Sequence, residues 1–144
     1  MLSPIFVVAA LGIAGQVAET GAPLAPIATF QGPFQHAVVG SSLVQADGTV
    51  LSSAGANLTL PATATLRAAR LFWMGSRTAG PDTSVTLARP DGQTQPIGVN
   101  AGSDCVTANT VLNISGANFY ECSVDVTTFV STGSSLSGRY TLSG

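Results

Sequence analysis

Few residues in this 144-residue chain could do chemistry. His36 is the single histidine. A Ser–His–Asp arrangement would have to use it, because a hydroxyl nucleophile needs a base within hydrogen-bond reach. His36 sits in a stretch dense in proline and glycine, and no serine occupies a GxSxG elbow. A solvent-facing or capping histidine is therefore expected, and the chain is read as a non-enzyme. HExxH, paired-histidine and DxDxDG spacings are absent, so no metal site and no cofactor is expected. The carboxylates Glu19, Asp47, Asp82, Asp91, Asp104, Glu121 and Asp125 are dispersed. Glycoside hydrolysis needs two facing carboxylates. Glu121 and Asp125 share one strand face two pleats apart, but solvent contact for one and helix capping for the other are expected. Asp82, Asp91, Asp104 and Asp125 could converge at one end of a sandwich, yet turns and caps account for each singly.

Cys105 and Cys122 are the two cysteines, and neither lies in a CxxC pair. Zinc binding and redox chemistry are disfavoured by that spacing. An even count in an exported chain reads as one disulfide, contributing about 3 kcal/mol by constraining the unfolded chain. The alternative is a pair of buried reduced thiols. Phe72 and Trp73 are neighbours on an expected strand and so point to opposite faces. The expectation is that both are core; if one were exposed beside Arg70, it could stack on a sugar ring. Asn57-Leu58-Thr59 and Asn113-Ile114-Ser115 match the glycosylation sequon, but such triplets arise easily in a Ser/Thr-rich chain.

Composition narrows the class. Charged residues make up 8% of the chain, against roughly a quarter in an ordinary domain, while 45% is hydrophobic. Lysine is absent, and the five arginines are Arg67, Arg70, Arg77, Arg89 and Arg139. A core can be buried, but its coat must be Ser, Thr, Asn, Gln and Gly. With a net charge of −2 and no basic stripe, nucleic acid is not expected as a partner. An uncharged polar coat suits an extracellular or cell-surface module.

The apolar run Ile5–Gly15 is too short for a bilayer span, which needs about 20 residues. It has the length of a signal-peptide core, with small residues before a cut at Gly15 or after Ala18. Residues 1–18 are accordingly read as a signal peptide, although MLSP lacks a basic side chain; a buried first strand is the alternative. The Gly- and Ala-rich leader looks bacterial. Residues 19–36 read as a Pro/Gly-rich extended arm anchored by Phe30 and Phe34.

Residues 37–144 read as an all-β domain: an antiparallel β-sandwich or jelly roll of about eight short strands. Strands are expected over 37–45, 49–52 and 57–60, with a tight turn at Ala46-Asp47-Gly48. TLRAARLFWM, 65–74, is the strongest strand, apolar enough that both of its faces are expected to be covered. A loop over 75–81 precedes TSVTLAR, 83–89, which alternates with Val85 and Leu87 on one face. Pro90-Asp91-Gly92 turns the chain into 93–99, where Pro96 marks an edge or bulge. Residues 102–109 read as a loop. Strands 110–114 and 119–126 would form a hairpin about Ser115–Asn118, with Cys122 opposite Val111, so a disulfide would pin the preceding loop to the sheet. Asp125 or Thr127 would cap a single helical turn, with Phe129 and Val130 plugging the sandwich. A last strand, 139–143, runs to the end of the sequence, and the domain is read as open to a further strand there.

Three stretches carry a resemblance: ATATLRAARLFWMGS, DTSVTLARPDG and YECSVDVTTFVSTGSSLSGRYTL. Together they resemble a domain near the amino terminus of large bacterial adhesin-type surface proteins, with its "rAyLyW.g" strand and "DVT..V...G.G.Y.v" ending. The resemblance implies a secreted or surface β-sandwich with an adhesive or structural role and brings no catalytic residues. DVTTFV is also similar to the ending of galactose-binding-like jelly rolls, which implies a carbohydrate-binding alternative. The expected partners are other copies of the chain, through sheet edges or the arm, or a glycan, with no membrane span in the mature chain.

Overall fold

The computed structural model describes residues 29–108 and 118–144. The leader, the start of the arm, the strand expected over 110–114 and the Asn113 sequon lie outside the described residues. The elements are β1 (Ser53–Leu58), β2 (Arg70–Arg77), β3 (Ser84–Ala88), β4 (Thr94–Gly98), β5 (Cys105–Ala108), β6 (Asn118–Asp125), α1 (Thr127–Ser131) and β7 (Gly138–Ser143). They form two antiparallel sheets, ordered β1-β7-β3-β4 and β2-β6-β5. The chain changes sheet at every connection except β3–β4 and β5–β6. This is an all-β sandwich with open edges.

The core follows from alternation. Val85 and Leu87 point inward from β3 and meet Ile97 of β4, Trp73 of β2 and Cys122 of β6. Val126 and Val130, flanking and within α1, close one end. Each such side chain contributes roughly 1.5–3 kcal/mol on burial. Cys105 and Cys122 are directly opposite on β5 and β6, with Cα atoms 4.1 Å apart, and are joined as a disulfide. Ser123 N–H donates to the Asp104 carbonyl, so the neighbouring Cys105–Cys122 pair is of the closer, non-hydrogen-bonded kind. Trp73 pairs with Cys122 from the other side, and its Nε1 donates to the Asp82 carbonyl at 2.8 Å.

Two hairpin turns share one construction. Gly48 N–H donates to the Gln45 carbonyl and Gln45 N–H to the Thr49 carbonyl; Gly92, Arg89 and Gln93 repeat the pattern. In both, the Asp before the glycine accepts the next N–H but one, and the glycine has φ near +80° (84° and 82°). This is the three-residue loop in which a left-handed residue closes the turn. Two hydroxyls do ladder work where backbone partners end. Ser137 Oγ accepts from Leu60 N–H and donates back to its carbonyl; Thr127 Oγ1 does the same for Ala69.

Arg89, only 8% exposed, ties the turn after β3 to α1. Its Nη1 donates to the Phe129 carbonyl and to Thr132 Oγ1, both at 2.7 Å, and it forks onto Asp91. The guanidinium lies 4.6 Å from the Phe129 ring centroid. A cation held against the last carbonyls of a helix is favourable there. Tyr140 Oη donates to the Leu136 carbonyl four residues back, the arrangement of a tyrosine corner.

Several expectations need correction. No strand forms over 37–45: its hairpin closes on the lone bridge Val44–Val50, and residues 29–50 are exposed apart from half-buried Leu43. The return strand and NLTL merge into one strand shifted to Ser53–Leu58, which pairs with β7. β2 begins at Arg70 and runs to Arg77, through part of the expected loop. Only one of its faces is covered, so Phe72 is not core. The expected 102–109 loop contains β5, which puts Cys105 itself opposite Cys122 within the sheet. Val126 is the helix cap residue, without a side-chain capping bond; Asp125 accepts the Thr127 N–H from just before it.

Reducing Cys105–Cys122, whose residues lie 17 apart, is expected to cost about 3 kcal/mol, read as a lower urea midpoint with reductant. Gly75 lies opposite Tyr120, and a Cβ there would sit 2.6 Å from Tyr120 Oη. Gly75→Val should therefore destabilise by about 1–3 kcal/mol, measured in the same titration.

Candidate functional site

The outer face of the β2-β6-β5 sheet is the most distinctive surface among the described residues. Leu71 and Trp73 turn inward, so Arg70, Phe72, Met74 and Ser76 turn outward. Register then places Asp125, Ser123, Glu121 and Phe119 beside them on β6, with Val106 beyond Glu121 on β5. Met74 is 73% exposed, Val106 74% and Phe72 44%. Exposed apolar side chains thus stand on β2 (Phe72, Met74) and on β5 (Val106), separated on β6 by Ser123 and Glu121, with Arg70 and Asp125 at one end. Arg70 Nε reaches Ser123 Oγ at 3.5 Å.

Phe72 thus takes the place that sequence reasoning gave only as the lesser option, an exposed aromatic two residues along the face from Arg70. Val106 has no place in that reading, since the sequence predicts a loop over 102–109. Its only signal was the alternation of Val106 with Cys105 and Thr107.

Four of the carboxylates each serve a local turn rather than a shared centre. Asp47 accepts from Thr49 N–H, Asp91 from Gln93 N–H and Arg89, Asp104 from Asn100 N–H, and Asp125 from Thr127 N–H. Asp82 lies 3.9 Å from Arg77. Among the described residues no three His, Cys, Asp or Glu side chains gather as a metal site. Glu121 is exposed to solvent, and Asp125, also exposed, accepts the Thr127 N–H just before α1. His36 is exposed on the stretch before β1 and lines neither surface depression. One depression, about 200 Å³, lies between β4 and α1, with Asp125 as its one ionisable side chain. The other, about 360 Å³, runs along β3 and β4 and carries no ionisable side chain. Neither offers the convergent polar groups of a catalytic pocket.

No family model, curated protein or solved structure matches the chain. What the fold and face define is a class: a disulfide-bonded, two-sheet antiparallel sandwich with Phe72, Met74 and Val106 exposed on the outer face of one sheet. No described helix is long and apolar enough to cross a membrane.

The turn carboxylates give the fold an acid limit. The Thr49 N–H and hydroxyl hold Asp47 below the usual carboxylate range, and those of Thr127 do the same for Asp125. At Asp91 desolvation opposes the charge, but the Gln93 N–H and Arg89 outweigh it and the net direction is down. Groups lowered in the folded state stabilise it fully above the unfolded value of about 3.9 and lose that contribution as pH falls through the lower folded values. Melting temperature should thus be flat above about pH 5 and fall below about pH 4. Asp91→Asn should lower it at neutral pH and flatten the acid fall, as followed by circular dichroism.

Proposed function

We propose that this chain is an exported, non-enzymatic β-sandwich module of the cell surface or extracellular space, adhesive or structural in role. The observation that carries this reading is the Cys105–Cys122 disulfide inside a small core, in a chain almost free of charge. Structural disulfides persist in oxidising compartments and compensate for small cores. The apolar run at Ile5–Gly15, read as a leader, and the adhesin-type resemblance point the same way. The apolar outer sheet face, the open strand edges and the exposed Phe30, Phe34 and Val38 are the surfaces such a module would use toward other copies of itself, including in a fibre.

A second reading, a carbohydrate-binding module, is favoured by one observation: exposed Phe72 lies on the same face as Arg70, an aromatic and a donor suited to a sugar ring.

Expressed in a bacterium with its leader, the chain should be recovered outside the cytoplasm with both cysteines protected from alkylation. Recovery as a reduced cytosolic protein would sink the export reading. On a glycan array, the second reading requires retention that Phe72→Ala weakens by about tenfold, equivalent to 1.4 kcal/mol. A silent array removes it.

A further inference from the structure

Among the described residues four strands lie at sheet edges: β1 and β4 in one sheet, β2 and β5 in the other. An edge offers its unused N–H and C=O groups to any chain that can pair with it. Three of the four edges are blunted. β4 has Pro96 at its centre, with no N–H to give. β5 is four residues long and clamped by the disulfide. β1, SAGANL, is built of small side chains with Gly55 inside it, which gives a pairing strand little to pack against. Of these devices β2 has only an internal glycine, Gly75, beside the large side chains of Leu71, Phe72, Trp73 and Met74. It is eight residues long, lacks proline and lysine, and exposes Phe72 and Met74.

The direction of its free groups follows from the ladder. Val126 N–H donates to the Ala69 carbonyl, and antiparallel pairs alternate between bonded and non-bonded. Leu71, Trp73 and Gly75 therefore bond to β6 at Val124, Cys122 and Tyr120. Arg70, Phe72, Met74 and Ser76 aim their N–H and C=O groups away from the sheet. Among the described residues no other backbone bonds to β2.

We propose that β2 is the pairing site for a second copy of this chain, strand against strand, antiparallel about a two-fold axis at Trp73. The two three-stranded sheets then become one. The register is selected by the strand itself. With Phe72 opposite Met74 of the second copy, Arg70 falls opposite Ser76, and every outward N–H and C=O of these four residues finds a partner. Slipping by two residues either way leaves the groups of Arg70 or of Ser76 unpaired. The same register packs an aromatic ring against a thioether on the outer face. It also opposes no arginine to another arginine, which would be unfavourable. Self-complementarity of this kind is what a two-fold contact requires. The exposed stretch before β1 is a weaker occupant: Pro33 and Gly40 interrupt it, and Val38 and Val39 are consecutive rather than alternate. The pairing rests on the self-association reading above, but its test uses purified chain and is independent of export.

Sedimentation velocity from about 10 µM to about 1 mM should show a concentration-dependent dimer, weak because a strand pair buries little area. Met74→Lys, which puts a charge opposite Phe72, should weaken it at least about tenfold with an unchanged circular dichroism spectrum. Met74→Pro removes one outward N–H without touching the β6 ladder and should do the same; if it unfolds, the lysine variant decides. Phe72→Cys mixed with Met74→Cys should cross-link on mild oxidation far more than either alone, because bonded antiparallel pairs have disulfide-compatible Cα spacing. A native chain that is monomeric throughout overturns the pairing while leaving the export reading intact. So does a dimer undiminished by Met74→Lys, or cross-linking that is no greater in the mixture than in the single variants.

Discussion

The row Trp73–Cys122–Cys105 across the second sheet is the constraint on which the rest depends. Three strands meet in it through two directly opposed pairs, one packed and one covalent. Cys122 is wholly buried, and the indole reaches out of the row to the Asp82 carbonyl in the connection to β3. The row thus fixes the register of β2, β6 and β5 together and ties that sheet to the route into the other. In a core this small, removing one member of the row removes a large fraction of what is buried. The disulfide works through the unfolded state as much as the folded one, since β5 is too short to hold its place by ladder bonds alone.

The second fixed point lies at the α1 end and is polar. Arg89 is buried, but its donors meet a carbonyl, a hydroxyl and a carboxylate, and its flat face meets Phe129. A buried guanidinium with one partner removed would be costly, so the turn after β3, the last turn of α1 and the carboxylate of Asp91 are held as one unit. Tyr140 anchors β7 nearby, and burial pushes its hydroxyl upward from the usual phenol range, with Arg89 acting against that and Asp91 with it. Gly138 begins β7 with φ of 135° and lies against Pro90, so no side chain fits there. Among the described residues, polar anchoring at one end and a covalent row in the middle leave the outer face of the second sheet without packing partners.

Local chemistry was legible where it is self-sufficient. Asp47-Gly48 and Asp91-Gly92 announce their turns because an Asx acceptor and a left-handed glycine need nothing from elsewhere. Val85 and Leu87 announce an inward face by alternation, and Pro96 announces an edge. What failed depended on the other sheet. LFWM is equally apolar whether one or both faces are covered, so only the placement of β6 shows that Phe72 and Met74 face out. AVVGSSLVQ has strand-like composition, but among the described residues its backbone partners are confined to its own turn and to Thr49–Leu51, so no ladder extends it. The mutual position of Cys105 and Cys122 is a matter of register between strands, which neither strand's own sequence fixes. The face built from Phe72, Met74 and Val106 was legible only as one exposed aromatic, because its members come from two strands that are not sequence neighbours.

Charge placement shows why that face matters for the chain's behaviour in solution. Edge strands and apolar faces are ordinarily guarded by lysine, and this chain has none. Its few charges are spent elsewhere: Asp47, Asp91, Asp104 and Asp125 close turns, Arg89 is buried, and Arg77 lies on Asp82. On the outer face of the second sheet, Glu121 stands alone between Met74 and Val106, with Arg70 and Asp125 opposed at the margin. One carboxylate therefore separates the exposed apolar side chains of β2 from Val106 of β5 and breaks what would otherwise be a continuous apolar patch.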